Sequence, residues 1–502
     1  MVGLAITLAT WLALRKLVGA PLFGRRDDSR ALVLSLDVFA PLSGFLLFIL
    51  PTARPVLAGL AVLALGLGMG VADQVKRVVL DEPVVFADRA ELLEVIRHPR
   101  LYLAFVGVWP MLGGTLAIAA AVALLVHLEP PLWPMALWQA GLIAVGVGLI
   151  IRLLFVAPTH PVLIAALARR YGVLRASREP KADAARFGLL AACTIQATLA
   201  RVERPARQRA AQSRNWAPVP PDAGPIVVVQ GESFVDARRL HPDLASLLPH
   251  FEQLRAEARA QGRLEVPCWG ANTIRSELAV LAALGPADIG LDRYNPYEHF
   301  AHVPLPSLAA QAKAAGFRTI CLHPYNREFY ARDRVMPMLG FDEFIGVEAF
   351  AGAPRHGPYV SDVALAERAA ELVRHHGPKL FLFVITMENH GPWDASHDDV
   401  VPVPLPAAWA KLPDAAAAGR WLAHLRSTDA MVPLLRDAIG DRGWLMFYGD
   451  HQPSLAGPFH APGSPDRRTD YAIWTPAGGP VVQRDQAAEQ LAPALLTLLR
   501  DG

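Results

Sequence analysis

The sequence predicts an N-terminal multi-span α-helical membrane domain followed by an α/β domain with a mostly parallel central sheet. Two observations carry this reading. Apolar residues make up 53% of the 502-residue chain, against 19% charged, and the apolar excess is concentrated before residue 166. From Pro225 onward, short apolar runs alternate with helical periods, the pattern of a parallel sheet covered by helices on both faces. A chain of this length also exceeds one ordinary domain. The boundaries read as a transmembrane domain of about five helices over 1–160, a basic amphipathic linker over 161–222, and the α/β domain over 223–502.

Five apolar segments define the first part: Val2–Phe23, Ala31–Leu50, Val56–Val71, Tyr102–Leu128 and Leu132–Val156. Spanning a bilayer as a helix takes about 20 apolar residues. The last two segments meet this easily, whereas Arg15 and Lys16 interrupt the first. A cleaved signal peptide does not fit, because no positive region precedes the apolar run and further spans follow. Asp37 is the only acid in the second segment and is expected to face a neighbouring helix rather than lipid. The Lys/Arg-bearing loops 24–30 and 72–101, counted literally, place the C-terminal domain in the cytoplasm.

The formal net charge of +2 gives no global field for nucleic acid, which is not an expected partner. Basic residues gather instead at Arg169, Arg170, Arg175, Arg178 and Lys181, beside apolar sequence, as expected at lipid headgroups. The three cysteines, Cys193, Cys268 and Cys321, show no spacing for a zinc cage. Cys268 and Cys321 are compatible with a pair in an oxidising compartment and, more simply, with two buried free thiols.

In the second part, Pro225–Gln230, Thr319–Leu322, Lys379–Thr386 and Trp444–Tyr448 read as buried strands. Leu244–Gln261, Pro306–Gly316, Val360–His375 and Trp421–Ile439 read as amphipathic helices, with Gly316 and Gly377 at helix C-termini. Each strand runs into chemistry-bearing residues: Gly231-Glu232-Ser233, His323-Pro324-Tyr325, Met387-Glu388-Asn389-His390 and Gly449-Asp450-His451. Carboxyl ends of strands line the site in open α/β sheets. Glu232, Asp450 and His451 are oxygen and imidazole donors suited to Mn, Zn or Mg. Any one triplet also fits an ordinary turn; their joint occurrence at strand ends points to a site. Thr273 begins a helix whose apolar positions Ile274, Leu278, Leu281 and Leu284 share a face, and a helix N-terminus favours an anion. A hydroxyl there is a candidate nucleophile once a metal favours its alkoxide. The alternatives are that Thr273 or Asn272 merely caps the helix, and that Ser233 is the nucleophile.

Taken in order, GESFVDARRL (231–240), CWGANTIRSELAVLAAL (268–284), HPYNREFYARDRVMPMLGFDEF (323–344), TMENHGPW (386–393) and YGDHQP (448–453) resemble the lipoteichoic acid synthase and phosphoglycerol transferase branch of the alkaline phosphatase/sulfatase superfamily. The resemblance spans about residues 225–480 and extends to the membrane-anchored layout. It implies a sulfatase-like catalytic domain in which Glu232, Thr273, Asp450 and His451 hold one divalent cation, commonly manganese, with zinc or magnesium as alternatives. It implies Thr273 as the nucleophile that becomes phosphoglycerylated, His390 at the phosphate or leaving group, and Arg332 as a phosphate-binding arginine. Tyr330 stands where lipoteichoic acid synthases carry tryptophan; His323 and Asn389 join the substrate-binding set by neighbourhood.

The implied activity is transfer of phosphoglycerol from phosphatidylglycerol, or a similar phospholipid, to a glycan or glycolipid hydroxyl. The implied location is the bacterial inner membrane, multi-pass, with the catalytic domain outside the cytoplasm, which opposes the literal charge count. Phosphoethanolamine transfer, sulfatase-like or phosphodiester hydrolysis, and a non-catalytic membrane sensor or scaffold are the other readings. No Cys/Ser-x-Pro-x-Arg sulfatase signature is present, since the nearest cysteine runs Cys268-Trp269-Gly270.

Overall fold

The computed structural model describes all residues except 23–28, 98–107, 135, 157–160, 173, 398, 402, 461–465 and 502. The start of the expected Tyr102–Leu128 segment and most of the 24–30 loop therefore lie outside the described residues. The chain forms two compact units, Met1–Pro205 and Ala206–Gly502.

In the first unit, three helices among the described residues are long and apolar enough to cross a membrane: Ala31–Thr52, Pro55–Leu80 and Met111–Leu128. The Val2–Leu17 helix has 16 residues, and the apolar stretch Trp138–Ile150 within the Leu137–Val156 helix is shorter. The charge that interrupts the first segment is buried and paired: Arg15 Nη1 lies 2.6 Å from Asp37 Oδ2. Asp37 also accepts from Trp11 Nε1 at 2.8 Å and from the Ala191 backbone at 3.1 Å. Arg15 donates to the Phe187 and Pro21 carbonyls, each at 2.9 Å. The acid thus faces protein, as expected of an ionisable group in an apolar helix. Gly59 lets the Val2–Leu17 and Pro55–Leu80 helices approach closely, because a Cβ there would stand 2.4 Å from the Gly3 carbonyl oxygen.

The second unit is built on a mixed sheet of nine strands among the described residues. Its strands are β1 (Ile226–Gly231), β2 (Ala260–Glu265), β3 (Arg318–Leu322), β4 (Glu343–Ile345), β7 (Leu380–Ile385), β8 (Trp444–Gly449), β9 (Thr469–Trp474), β10 (Val482–Gln483) and β11 (Gln486–Ala487). A separate hairpin joins β5 (Arg355–His356) to β6 (Tyr359–Val360). The order is β10-β2-β9-β8-β1-β7-β3-β4, with β11 also on β2. From β8 to β4 every neighbour is parallel, and β9 runs antiparallel to both β8 and β2.

Alternation along the strands divides the apolar residues between two cores. Ile226, Val228, Phe381, Phe383, Met446 and Tyr448 face one side, with the helices Thr273–Ala282 and Leu491–Asp501. Val227, Val229, Leu382, Val384, Leu445 and Phe447 face the other, with Pro249–Ala256, Asp362–His376 and Ala415–Ile439. Burial on both faces explains why β1, β7 and β8 read as unbroken apolar runs. Phe234 stacks edge-on to Phe251 and Phe447, each at 4.8 Å between ring centroids, and so anchors the turn leaving β1.

The expected helices appear with shifted ends. Ser307 and Ser361 cap two of them through their hydroxyls, and Gly316 and Gly377 terminate helices at φ of 83° and 64°. One expectation is corrected: the Leu244–Gln261 helix is confined to Pro249–Ala256, and Ala260 begins β2 instead. Burial in β2 alternates residue by residue, a period-two signal that a helical reading of its polar residues overrides.

Candidate active and metal site

Four adjacent parallel strands, β8-β1-β7-β3, deliver their carboxyl ends to one rim. Pairing of Gly231 with Gly449 sets Glu232 beside Asp450. The approach is closest at Gly449, where a Cβ would stand 1.9 Å from the Phe234 carbonyl oxygen, so only glycine fits.

Glu232, Asp450 and His451 are buried, and their ligand atoms lie within 4.8 Å of one another. His451 Nε2 is 3.5 Å from both Glu232 Oε1 and Asp450 Oδ2. Its other nitrogen, Nδ1, is 3.0 Å from the Gln452 carbonyl, which fixes the tautomer and leaves Nε2 available to a cation. Asp450 Oδ1 accepts from the Ser233 and His451 backbone at 2.9 and 2.7 Å. Asp450 Oδ2 is buried with no hydrogen-bond partner among the described residues. Burial, then the neighbouring Glu232 charge, push the Asp450 carboxyl well above its ordinary range. A divalent cation would remove both anomalies, so this donor set fits one.

Thr273 is the first residue of its helix, and its hydroxyl lies 3.3 Å from Glu232 Oε2. It lines a pocket shared with Glu232, His323, Tyr330, Arg332 and His390. Ser233 is not among the lining residues; its hydroxyl is turned to Glu232 Oε1 at 2.9 Å. Among the described residues of this unit five non-glycine residues have left-handed backbone, and four of them, Ser233, Asn272, Tyr330 and Ala331, stand on the loops that shape the site.

Arg332 is buried and forked onto Glu277, with Nη2 at 2.9 Å and Nε at 3.2 Å from Oε2. Arg332 Nη1 is 3.4 Å from His323 Nε2, while His323 Nδ1 meets the Ile385 carbonyl at 3.1 Å. Burial, then the Arg332 charge, hold His323 well below its usual pKa, so the ring is neutral and accepts from Arg332. Glu277 also takes the Tyr297 hydroxyl at 2.7 Å. Sequence reasoning passed over Glu277; its signal is the i, i+4 step from Thr273, inward on the same helix. His390 Nδ1 lies 2.6 Å from the Gly391 carbonyl.

Asn389 stands apart from the pocket. It is fully buried, its Oδ1 accepts from Trp393 Nε1 at 2.9 Å, and it is not a lining residue. None of the three cysteines is in a disulfide, and Cys268 Sγ lies 3.4 Å from Ser276 Oγ rather than at Cys321. Sequence reasoning also missed a second polar cluster formed by His356, Glu388 and His424.

Residues 225–501 match the family model described as Sulfatase, and the chain belongs to that family. Over 481 residues it is 30% identical to the capsular polysaccharide biosynthesis protein RkpI of Rhizobium meliloti (strain 1021), covering 90% of this chain and 83% of that protein. It is 25% identical over 242 residues to a putative cyclic beta-1,2-glucan modification protein of the same organism, covering 46% and 36% respectively. Among solved structures, the lipoteichoic acid synthase LtaP of Listeria monocytogenes is similar at 20% identity and a TM-score of 0.46, covering 55% of this chain and 72% of that one. The phosphoglycerol transferase GacH of Streptococcus pyogenes is similar at 18% identity and a TM-score of 0.45, covering 60% and 80%.

Proposed function

We propose that the protein transfers phosphoglycerol from phosphatidylglycerol, or a similar phospholipid, to a glycan hydroxyl through a covalent intermediate on Thr273. The observation that carries this is the placement of Thr273 in a pocket lined also by Glu232, Arg332 and His390. Glu232, Asp450 and His451, with the Thr273 oxygen, would hold one divalent cation, manganese being the expected ion. When bound it supplies Lewis acidity that lowers the cost of ionising the hydroxyl.

In the first step Thr273 Oγ1 forms a bond to phosphorus and its proton passes to Glu232 Oε2, the acceptor it already faces. The bond from phosphorus to the diacylglycerol oxygen breaks, and His390 protonates that oxygen. In the second step His390 takes the proton of the acceptor hydroxyl, which bonds to phosphorus. Thr273 Oγ1 leaves and recovers its proton from Glu232. Arg332, its guanidinium plane set by Glu277, stabilises charge on the phosphoryl oxygens, and Tyr330 walls the pocket beside it. His323 positions Arg332.

A glycan acceptor is supported by the capsular polysaccharide relative, and apolar helices near the N-terminus would keep the site at the surface that holds the lipid. We place the chain in the bacterial inner membrane as a multi-pass protein with its catalytic domain outside the cytoplasm. Intact-mass spectrometry after incubation with phosphatidylglycerol tests the reading. The expected adduct is one phosphoglycerol, absent from Thr273→Ala. A phosphoethanolamine adduct from phosphatidylethanolamine alone, or no adduct with either lipid, would overturn it.

A further inference from the structure

Outside the pocket, three donors from distant parts of the chain converge on one point. His356 sits on the β5–β6 hairpin, Glu388 follows β7, and His424 lies within the Ala415–Ile439 helix. His356 Nδ1 and His424 Nδ1 are each 2.8 Å from the same oxygen, Glu388 Oε1, across separations of 32 and 36 residues. The three ligand atoms lie within 4.8 Å of one another. Local sequence proximity has no part in this arrangement; the fold assembles it.

The surroundings hold each donor in place. Glu388 Oε2 accepts from Ser427 Oγ and from the Asp362 backbone, each at 2.6 Å. His424 Nε2 is 2.9 Å from His397 Nδ1. Such outer contacts orient ligating imidazoles and carboxylates at metal centres. A second carboxylate, Asp362, is buried alongside, held by Thr428 Oγ1 at 2.6 Å. Among the described residues, the partners of these two acids are hydroxyls, backbone N–H groups and imidazoles, with no lysine or arginine bonded to either. In the metal-free protein imidazole N–H groups are what faces Glu388, the place a divalent cation would take. The side chain of His356 is 35% exposed while those of Glu388 and His424 are fully buried, so the convergence point is reachable from one side.

We propose that His356, Glu388 and His424 form a second metal site, separate in residues from the Glu232, Asp450 and His451 cluster, that takes a zinc-class divalent ion. Two imidazoles and one carboxylate suit such an ion, and the exposed side leaves a coordination position for water. Binding would replace the two Nδ1–H groups that meet Glu388 Oε1 in the metal-free protein, each imidazole then carrying its proton on Nε2. The ion would fasten the hairpin and the long helix to the loop that carries His390, two residues beyond Glu388.

The test measures zinc per full-length chain by plasma mass spectrometry, after zinc loading and desalting in detergent. The expected result is two equivalents for the unmodified protein and one for Glu232→Gln/Asp450→Asn. Adding His356→Ala to that double variant should remove the remaining equivalent. Cobalt bound to the double variant should show ligand-field absorption bands that vanish with His356→Ala. Because His356 is on a short hairpin and partly exposed, circular dichroism is expected to show the fold unchanged. A double variant that binds no zinc, or one that keeps its zinc and its cobalt bands after His356→Ala, overturns the site.

Discussion

Two buried clusters in the C-terminal domain handle negative charge in opposite ways. In one, Glu232 and Asp450 face each other with an Asp450 oxygen left bare, and burial, then repulsion from Glu232, raises the aspartate. In the other, burial alone would raise Glu388, yet hydrogen bonds from His356, His424 and Ser427 hold it below the ordinary carboxylate range. The first cluster is electrostatically incomplete as a protein structure; the second can be closed by protons. Hydrogen-bond saturation, rather than the mere presence of acids, separates a carboxylate under strain from one at rest; Asp362, beside Glu388, shares the strain, raised by burial and then by the Glu388 charge.

The largest expected effect exploits this strain. Asp450→Asn should lower transfer activity by at least about 10³-fold, the order of several kcal/mol that metal chemistry supplies. The same change should leave the metal-free protein no less stable than the parent, because it removes a repelled charge. A clear drop in its urea midpoint would break the contrast. Glu388→Gln should do the reverse in the metal-free protein, costing about 3 kcal/mol by urea unfolding, since it disturbs four hydrogen bonds at once. A neutral result there would remove the distinction between the clusters. Arg332→Lys should lower kcat/KM by about 10- to 100-fold, because a lysine cannot fork onto Glu277 and also face the pocket. Restoring full activity with lysine would reduce Arg332 to a point charge.

Asp236 sharpens the comparison as a carboxylate closed by guanidinium groups. Burial raises it, but Arg238 and then Arg255, at 2.7 Å each, bring it below its ordinary value. Its folded pKa is depressed, so its stabilisation is complete above the unfolded carboxylate range near 4 and is lost as pH falls through the folded value. Asp236→Asn should therefore cost about 1–2 kcal/mol at pH 7 and progressively less in acid, measured by urea unfolding across pH. A pH-independent cost would show that packing, not charge, is what Asp236 supplies.

The central sheet was legible because its middle strands are buried on both faces and read as continuous apolar runs. The rim was legible for the same reason: each run stops at a residue that carries chemistry, as at Glu232 and Asp450. Strands β2 and β9 were not, because Ala260–Glu265 shows one face to polar surroundings and β9 runs antiparallel and carries charge at Asp470. Glu277 was hidden in a helix whose apolar stripe drew attention to packing. His356 and His424 were hidden more deeply. A histidine in a two-residue strand and one on the buried face of a 25-residue helix have no shared motif, and only the fold brings them to Glu388.

The close approach at Gly449 has a consequence for the protein's tolerance to mutation. A metal site is usually thought to fail when a ligand is lost. Here the residue before Asp450 must have no side chain, since the Phe234 carbonyl occupies the space where a Cβ would go. Asp450 N reaches across to the Gly231 carbonyl at 3.1 Å, so the turns that carry Glu232 and Asp450 are stitched together at this point. An alanine at 449 would separate the turns while leaving every donor in the chain. The vulnerability of the chemistry therefore extends to a position that contributes no chemistry of its own.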